Sequence, residues 1–314
     1  MSRLAKILEY TYAGNLERKK LINRPSFPYD IKELLMSEGM EADTILTEEL
    51  QGALIDGAEK RSVIRKILPI IKVSKYKAIV PTNISPSGVV GPTAEGAVPA
   101  SLEGSYSSGS LSINKYSTKI GITNEMIEDC QWDVIEYQVK RAGALLENTL
   151  NKDGMTELLD GHNGTSPADK DPASSHFELA DLADIKNTLM DKYWGGGGLS
   201  FIGHPEAIQF LLDSDALAVN VVPNQGGQLL GVDIYELNTP IGSATNYWDA
   251  TDAANHYYGI VLDTDNYAVI GMRDDIHITK EVKDPIHDLT QLIASMRFDV
   301  KVINSKAAVR ILSK

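Results

Sequence analysis

An α+β fold, with helices and strands in separate runs, is predicted by three features of the 314-residue sequence. A long amphipathic helical pattern runs from about Asn124 to Leu159. Strand-like stretches lie far apart in the chain, at Val63–Val73 and again beyond Gly259, and are expected to complete one sheet. Between Lys77 and Lys115 the chain runs 37 residues without a lysine or arginine, crowded with Gly, Ser and Pro. Helices and strands segregated in this way argue against a doubly wound parallel sheet. Connections longer than about 12–15 residues are uncommon inside compact domains, so the third feature calls for a special role. Pro81, Pro86, Pro92 and Pro99 stiffen it, and Val80, Ile84, Val89, Val90, Val98, Leu102, Leu111 and Ile113 give it apolar side chains that a tether lacks. It reads as an extended two-stranded arm that becomes ordered against neighbouring subunits.

Along the chain, residues 1–45 are broken at Gly14, Pro25, Pro28 and Gly39 and read as an irregular arm with short helices, docking on another subunit. Thr47 is placed as a helix N-cap before Glu48 and Glu49; Leu50, Leu54, Ile55 and Ala58 form one face of a helix ending near Lys60. Val63–Val73, rich in Ile and Val around Pro69, reads as a strand or strand pair. An alternating strand is expected from Leu111 to Ile122. In the long helix, Ile127, Cys130, Val134 or Ile135, Gln138 or Val139, Ala142, Leu145 or Leu146 and Thr149 or Leu150 recur at steps of three and four, with an acidic opposite face. Gly143 and Gly154 each weaken it by about 1 kcal/mol relative to alanine, so packing must hold it or it must bend there. Residues 161–178 form a polar link. Leu182, Ile185 and Leu189 mark a helix, Leu199–Ile202 a short buried strand and Glu206–Leu212 another helix. Strands follow at Ile260–Leu262, Tyr267–Ile270 and Ile276–Val282, and Met296, Phe298, Val300 and Val302 alternate with Arg297, Asp299 and Lys301.

Composition bounds the function. With 43% hydrophobic and 23% charged residues the chain can bury a substantial core. Its formal net charge is −13, unevenly placed: residues 124–271 carry 6 basic and 24 acidic side chains, whereas the flanks together are +5. Such a field repels phosphate backbones, which disfavours specific nucleic-acid recognition by the middle region. It suits a surface that must not hold nucleic acid, and an ordinary solvated acidic surface accounts for it equally well. Cys130, the only cysteine, excludes an intrachain disulfide and falls on the apolar stripe of the long helix, where a small buried hydrophobe is expected. The first residues lack the apolar core of a signal peptide, and no window reaches the ~18 apolar residues of a membrane span. Synthesis and folding in a cytoplasm are expected.

The residues point to no catalytic, cofactor-binding or metal site. His162, His176, His204, His256, His277 and His287 are scattered, with no HExxH and no close cluster with Cys or carboxylates. His204-Pro205 reads as a turn opening a helix. Asp263, Asp265, Asp274 and Asp275 are better explained as turn-forming loop residues than as a carboxylate pair or calcium ligands. The run Gly195–Gly198 lacks the Gly-Lys-Ser/Thr ending of a phosphate loop, since Leu199-Ser200-Phe201 follows, and reads as a helix-to-strand turn. Ser105–Ser110 lies in the arm, where a nucleophile has no fixed base.

The passage Ala94–Gly161 resembles the arm and spine-helix passage of major capsid proteins of tailed double-stranded DNA viruses with the HK97-like fold. The likeness lies in order and spacing: Glu95-Gly96 opens the returning strand, Leu111–Ile122 alternates, and Thr123-Asn124-Glu125-Met126-Ile127-Glu128-Asp129 begins a helix that ends at Leu158-Leu159-Asp160-Gly161. Phe201-Ile202-Gly203-His204-Pro205-Glu206-Ala207 and the terminal strands after Gly259 match as well. The resemblance implies an N-terminal arm (1–45), a discontinuous peripheral domain (46–74, 119–178 and 272–314) containing the spine helix, an extended loop (75–118) and an axial domain (179–271). It further implies a virion shell protein whose partners are its own copies in hexamers and pentamers, enclosing double-stranded DNA without sequence-specific contacts. Scaffolding, portal and possible cement or decoration proteins are further implied partners. With about 45 residues before the first core helix and a start at Met1, a separate scaffold or none is expected. The alternatives are an encapsulin-type nanocompartment shell and, from a different class, a soluble enzyme or ligand-binding protein whose long loop is a lid. Some members of the family crosslink an arm lysine to a neighbour's asparagine. Here that lysine's position falls near Ser108, while Lys77 and Lys115 lie at the arm's base. Unreduced particles boiled in denaturant should therefore run as one 34.3 kDa band; a ladder of its multiples would refute this.

Overall fold

The computed structural model describes residues 40–87, 103–123, 125, 132–162, 164, 167–172, 177–192, 198–213, 227–237, 257–284 and 289–312. The chain divides into two compact units, each assembled from three separate segments. One comprises Met1–Glu59, Ser117–Ala144 and Ile276–Ser295, the other Lys60–Tyr116, Leu145–Asp275 and Met296–Lys314.

Helix α1 runs Met40–Glu59. It ends where the sequence predicts but begins seven residues before Thr47, which therefore lies inside the helix. No Gly or Pro interrupts 40–51, and Met, Glu, Ala and Leu are good helix formers, so nothing stops the helix at a threonine. The expected strand over Val63–Val73 is instead one helical turn, α2 (Ile64–Ile67), followed by strand β1 (Ile70–Lys72). The cause is distant in sequence. Asn151 Oδ1 accepts the backbone N–H groups of Val63 and Ile64 at 3.4 and 3.1 Å, capping the turn from outside, while Asn151 Nδ2 donates to Arg61 O. Pro69 then forces the chain into extended geometry.

Strands β2 (Lys77–Ser87), β3 (Glu103–Ser112) and β4 (Asn114–Thr123) follow. The single strand expected over Leu111–Ile122 is thus two strands parted at Ile113, whose N–H donates to Tyr76 O at 3.0 Å. Helix α3 spans Trp132–Asp160; of the predicted start at Thr123–Asp129, Thr123 is instead the last residue of β4, and the rest, with Cys130, falls outside the described residues except for Glu125. Gly143 does not bend it. A Cβ there would sit 2.0 Å from Leu54 O, and one at Gly57 of α1 would sit 2.1 Å from Lys140 O. The two glycines let α1 and α3 cross with their backbones nearly touching. Gly154 likewise takes the side chain of Ile64 against its backbone.

The acidic face predicted for α3 is not its solvent face. Glu147 is buried and paired with Arg65, Glu157 pairs with Lys301, and Glu136 pairs with Lys140. Exposed positions are taken by Val134, Tyr137 and Arg141 in the first half and by Leu145, Thr156 and Asp160 in the second.

Helices α4 (Leu179–Lys192) and α5 (Pro205–Asp213) and strands β5 (Leu199–Gly203), β6 (Gln228–Leu229), β7 (Val232–Glu236) and β8 (Tyr257–Asp263) fall where the periodicity placed them or fill the gaps between. The two strands predicted at Tyr267–Ile270 and Ile276–Val282 are one, β9 (Ala268–Asp284). Strands β10 (Leu289–Val302) and β11 (Ala308–Leu312) close the chain. One mixed sheet has the order β1-β9-β10-β4, another β11-β8-β5-β7-β6, and β2-β3 stand alone. As expected, the early strand β1 and the late strand β9 share a sheet; they pair in parallel, Ile70 opposite Ile270 and Lys72 opposite Met272. The five-stranded sheet packs Phe201, Val232 and Val261 against Leu182, Leu189 and Leu211 of α4 and α5, and β11 contributes Val309 and Ile311 to the same core. Among the described residues no helix is long and apolar enough to cross a membrane.

Gly143→Ala is expected to cost about 3 kcal/mol or more, because the obstructing atom is backbone and cannot rotate away. Gly52→Ala, on the same α1 helix with nothing within 4 Å of the new methyl, is expected to stabilise by about 0.5–1 kcal/mol. Denaturant unfolding of the two variants should move in opposite directions.

Candidate functional site: a two-stranded arm and its anchor

The segment that the sequence marks as an arm is a two-stranded antiparallel ribbon. Lys77 lies opposite Ser112, Ile79 opposite Ser110 and Pro81 opposite Ser108, with a register shift between Thr82 and Ser85. Directly opposed residues share a face, so the ribbon has two distinct sides near its base. One carries Ala78, Val80, Thr82, Ser107, Gly109 and Leu111. The other carries Lys77, Ile79, Pro81, Ser108, Ser110 and Ser112. The predicted returning strand at Glu95-Gly96 lies outside the described residues, as does the rest of the arm between Ser87 and Glu103.

The first side is seated on the body. Leu111 is fully buried and, with Val73 and Ile113, forms a small core against which Ala78 and Val80 pack. Gly271 of β9 makes room for it: a Cβ there would meet the two Leu111 methyls at 3.0 and 3.2 Å. Polar contacts fix the same point. The Ser112 N–H donates to Asp299 Oδ2 at 2.6 Å and the Val300 N–H to Oδ1 at 3.0 Å. Burial pushes the Asp299 carboxyl up, against the lowering effect of these two N–H groups. Just past the arm, Tyr116 stacks on Phe298 with ring centroids 4.5 Å apart. Its phenol is pushed above the usual range, by burial first and by its hydrogen bond to Asp153 second.

On the second side Lys77, Ile79, Pro81, Ser108 and Ser110 are all exposed. Ile79 is 79% exposed.

The residues weighed as chemistry have structural work. Asp263 Oδ1 accepts the N–H groups of Asp265 and Asn266, and the Asn266 amide closes on both carboxylate oxygens, an Asx-type turn. Asp274 pairs with Arg297 and Asp275 with Arg65. His204 opens α5, its carbonyl accepting from Ile208 N. His162 is buried: its Nδ1 accepts from Gly164 N at 2.8 Å and its Nε2–H donates to Ala308 O at 2.8 Å, which makes it the neutral tautomer. Burial lowers its pKa, the nearby Asp169 raises it, and Arg310 lowers it again. Arg310 itself is bidentate to Asp169 at 2.9 and 2.7 Å and donates to Leu159 O, closing the end of α3. Gly198 accepts from Thr264 at the turn into β5; Gly195–Gly197, Cys130, His176, His256 and His287 lie outside the described residues. Among the described residues no three His, Cys, Asp or Glu side chains are grouped to hold a metal ion. Sequence reasoning missed the Arg65–Glu147 and Arg310–Asp169 pairs. Their partners are 82 and 141 residues apart, and no local spacing signals them.

The comparisons agree with an arm-bearing shell fold. A model of the phage capsid family matches residues 43–312. No curated protein sequence matches the chain. Among solved structures, the virus-like particle from Pyrococcus furiosus superposes with a TM-score of 0.57 at 17% identity, covering 85% of this chain and 99% of that one. The mature capsid of bacteriophage PhiM1 gives 0.54 at 14%, covering 80% and 86%, and the capsid of cyanophage P-SCSP1u gives 0.55 at 13%, covering 80% and 88%. At these identities the likeness is one of fold, HK97-like in each case.

Two substitutions separate the two sides of the ribbon. Leu111→Ala should lower folding stability by about 3 kcal/mol, since it empties a fully buried site. Ile79→Ser should change it by less than about 0.5 kcal/mol. Urea titration of both variants is the check, and a large loss for Ile79→Ser would show that this side chain serves the chain's own fold.

Proposed function

Starting from a chain that belongs to the phage capsid family, we propose that this shell protein builds an icosahedral virion head from pentamers and hexamers, enclosing double-stranded DNA. The role is structural and non-enzymatic. The observation that carries it is the ribbon: its inner side is anchored by Leu111 and Asp299, and its outer side offers Ile79 to another molecule. Arms that overlie neighbouring copies hold the shell without covalent links. Each subunit then buries area on the scale of obligate interfaces, thousands of Å² in total, at roughly 25 cal/mol per Å² before ordering terms. DNA is enclosed and not read, consistent with the acidic middle of the chain. A portal, a separate scaffold and decoration proteins are further proposed partners, with assembly in a host cytoplasm.

An encapsulin-type compartment is the second reading, because the fold match spans 99% of the virus-like particle chain. Particle contents discriminate the two. Negative-stain microscopy of the expressed chain should reveal closed shells of uniform diameter, and particles from infected cells should contain nuclease-protected DNA. A protein cargo in place of DNA would favour the compartment, and a chain that stays monomeric while binding a small molecule would favour the lid reading. Ile79→Asp should leave a folded subunit that no longer closes shells. Full assembly of that variant would overturn the role given to the ribbon's outer side.

A further inference from the structure

The turn that follows α3 is built around a buried, uncharged histidine. The His162 side chain has no exposed surface, and both of its nitrogens are committed in a way that leaves no place for a second proton. The Gly164 N–H can only donate, so Nδ1, which receives it at 2.8 Å, must carry a lone pair. The Ala308 carbonyl can only accept, so Nε2, 2.8 Å away, must carry the hydrogen. Gly164 has a φ of +65°, and a Cβ there would lie 2.8 Å from Arg310 Nη2 and 3.0 Å from Asp169 Oδ2. Ring, glycine and the Arg310–Asp169 pair are thus packed against one another.

The charged groups that face the ring come from the loop and from β11. Asp169 Oδ1 lies 3.6 Å from Nδ1, but both oxygens of that carboxylate already receive the Arg310 guanidinium, at 2.9 and 2.7 Å. Arg310 also donates to Leu159 O at the end of α3 and lies over the Tyr257 ring of β8. The Tyr267 hydroxyl, which burial keeps uncharged, donates to Leu158 O. Lys170 turns away to Asp181 and Asp184 of α4, and on α3 Glu157 pairs with Lys301 while Asp160 is exposed. A proton added to Nδ1 would set two donors against each other across 2.8 Å. It would also place a second cation beside Arg310, with one carboxylate between them. The imidazolium is satisfied only by taking Asp169 from Arg310 or by leaving the site. Either course releases the same parts. Arg310 ties Leu159 to β11, and the Lys170 backbone, one residue past Asp169, closes the outer edge of β11 by donating to Arg310 O and accepting from Leu312 N.

We propose that His162 is a proton-sensing latch, which in its neutral form locks the end of α3 to the C-terminal strand β11 and on protonation undoes that junction. The inference is independent of the shell reading. Burial is the largest influence on His162 and lowers its pKa from the ordinary 6.5; Asp169 opposes this and Arg310 adds to it. An opened or unfolded chain therefore takes up the proton near pH 6.5, and the closed one only at lower pH. The junction is at full strength above that value and weakens as the pH falls toward the lowered one. Within this window a single proton shifts the ratio of open to closed forms by up to about tenfold per pH unit.

Backbone hydrogen exchange of the full-length chain, read by mass spectrometry from about pH 7.5 to about pH 5 and corrected for the intrinsic pH dependence of exchange, is the test. Residues 158–170 and 306–312 are expected to lose protection as the pH falls, while strands β5 and β7 keep theirs. Unchanged protection of both segments down to the lowest pH would overturn the proposal. His162→Gln, whose amide can still donate to Ala308 O, and His162→Asn, whose amide can still accept from Gly164 N, take up no proton and leave the other five histidines in place. Both should abolish the acid response, and a variant that opens over the parent's pH range would assign the sensing to another group and sink the latch. Should circular dichroism show both variants misfolded, exchange of the imidazole Cε1 hydrogen, followed for each histidine of the parent by mass spectrometry, decides. His162 must then gain its proton over the same interval in which the two segments open, and a mismatch overturns the proposal.

Discussion

A two-stranded ribbon has two faces and no third strand to hide either of them. Isolated hairpins are marginal in water, and stability comes from packing one face on something larger. Here the base of the ribbon solves half of that problem within the chain. Leu111 enters a space that Gly271 leaves open, and Asp299 takes the Ser112 N–H at the same level. The opposite face is left to water or to another molecule. The proposed role of the ribbon rests on that asymmetry: one side fixed by Leu111, the other exposed at Ile79. Ser110 and Ser108, opposite Ile79 and Pro81, keep that side polar.

The long helix shows a related economy. Three of its carboxylates, Glu147, Glu157 and Glu136, turn inward or along its flank, onto Arg65, Lys301 and Lys140. The Arg65–Glu147 pair joins α2 to α3 with Glu147 almost wholly buried, and burial raises the glutamate pKa against the lowering influence of Arg65. Breaking such a pair by removing one partner ordinarily costs about 3–5 kcal/mol, since the other charge is left buried alone. The pair therefore serves to fix where two elements meet more than to add net stability. The glycines at 57 and 143 act in the same sense for α1 and α3, by permitting one close crossing that larger residues would forbid.

How much of this was legible in the sequence depended on whether the determining contact was local. Leu182, Ile185 and Leu189, or Met296, Phe298, Val300 and Val302, announce their element by spacing alone, and those elements stand where periodicity put them. The arm was visible through a composition that no compact loop has. Val63–Val73 was misread because its first turn is capped by Asn151, 88 residues away. The strands at Tyr267 and Ile276 appeared separate because Arg273, Asp274 and Asp275 interrupt the apolar pattern, yet Arg297 across the sheet pairs with Asp274 and the strand continues through them. The anchor was half visible: Leu111 stood out as apolar, but nothing near it pointed to Gly271 or Asp299.

The end of α3 is closed by groups supplied much later in the chain. The Tyr267 hydroxyl donates to Leu158 O, Arg310 donates to Leu159 O, and Val309 and Ile311 complete the core of the five-stranded sheet. During translation, then, this unit stays unfinished until residues near 310 have left the ribosome. The two strands of the ribbon, complete at Ser112, are made long before the residues that close the helix behind them.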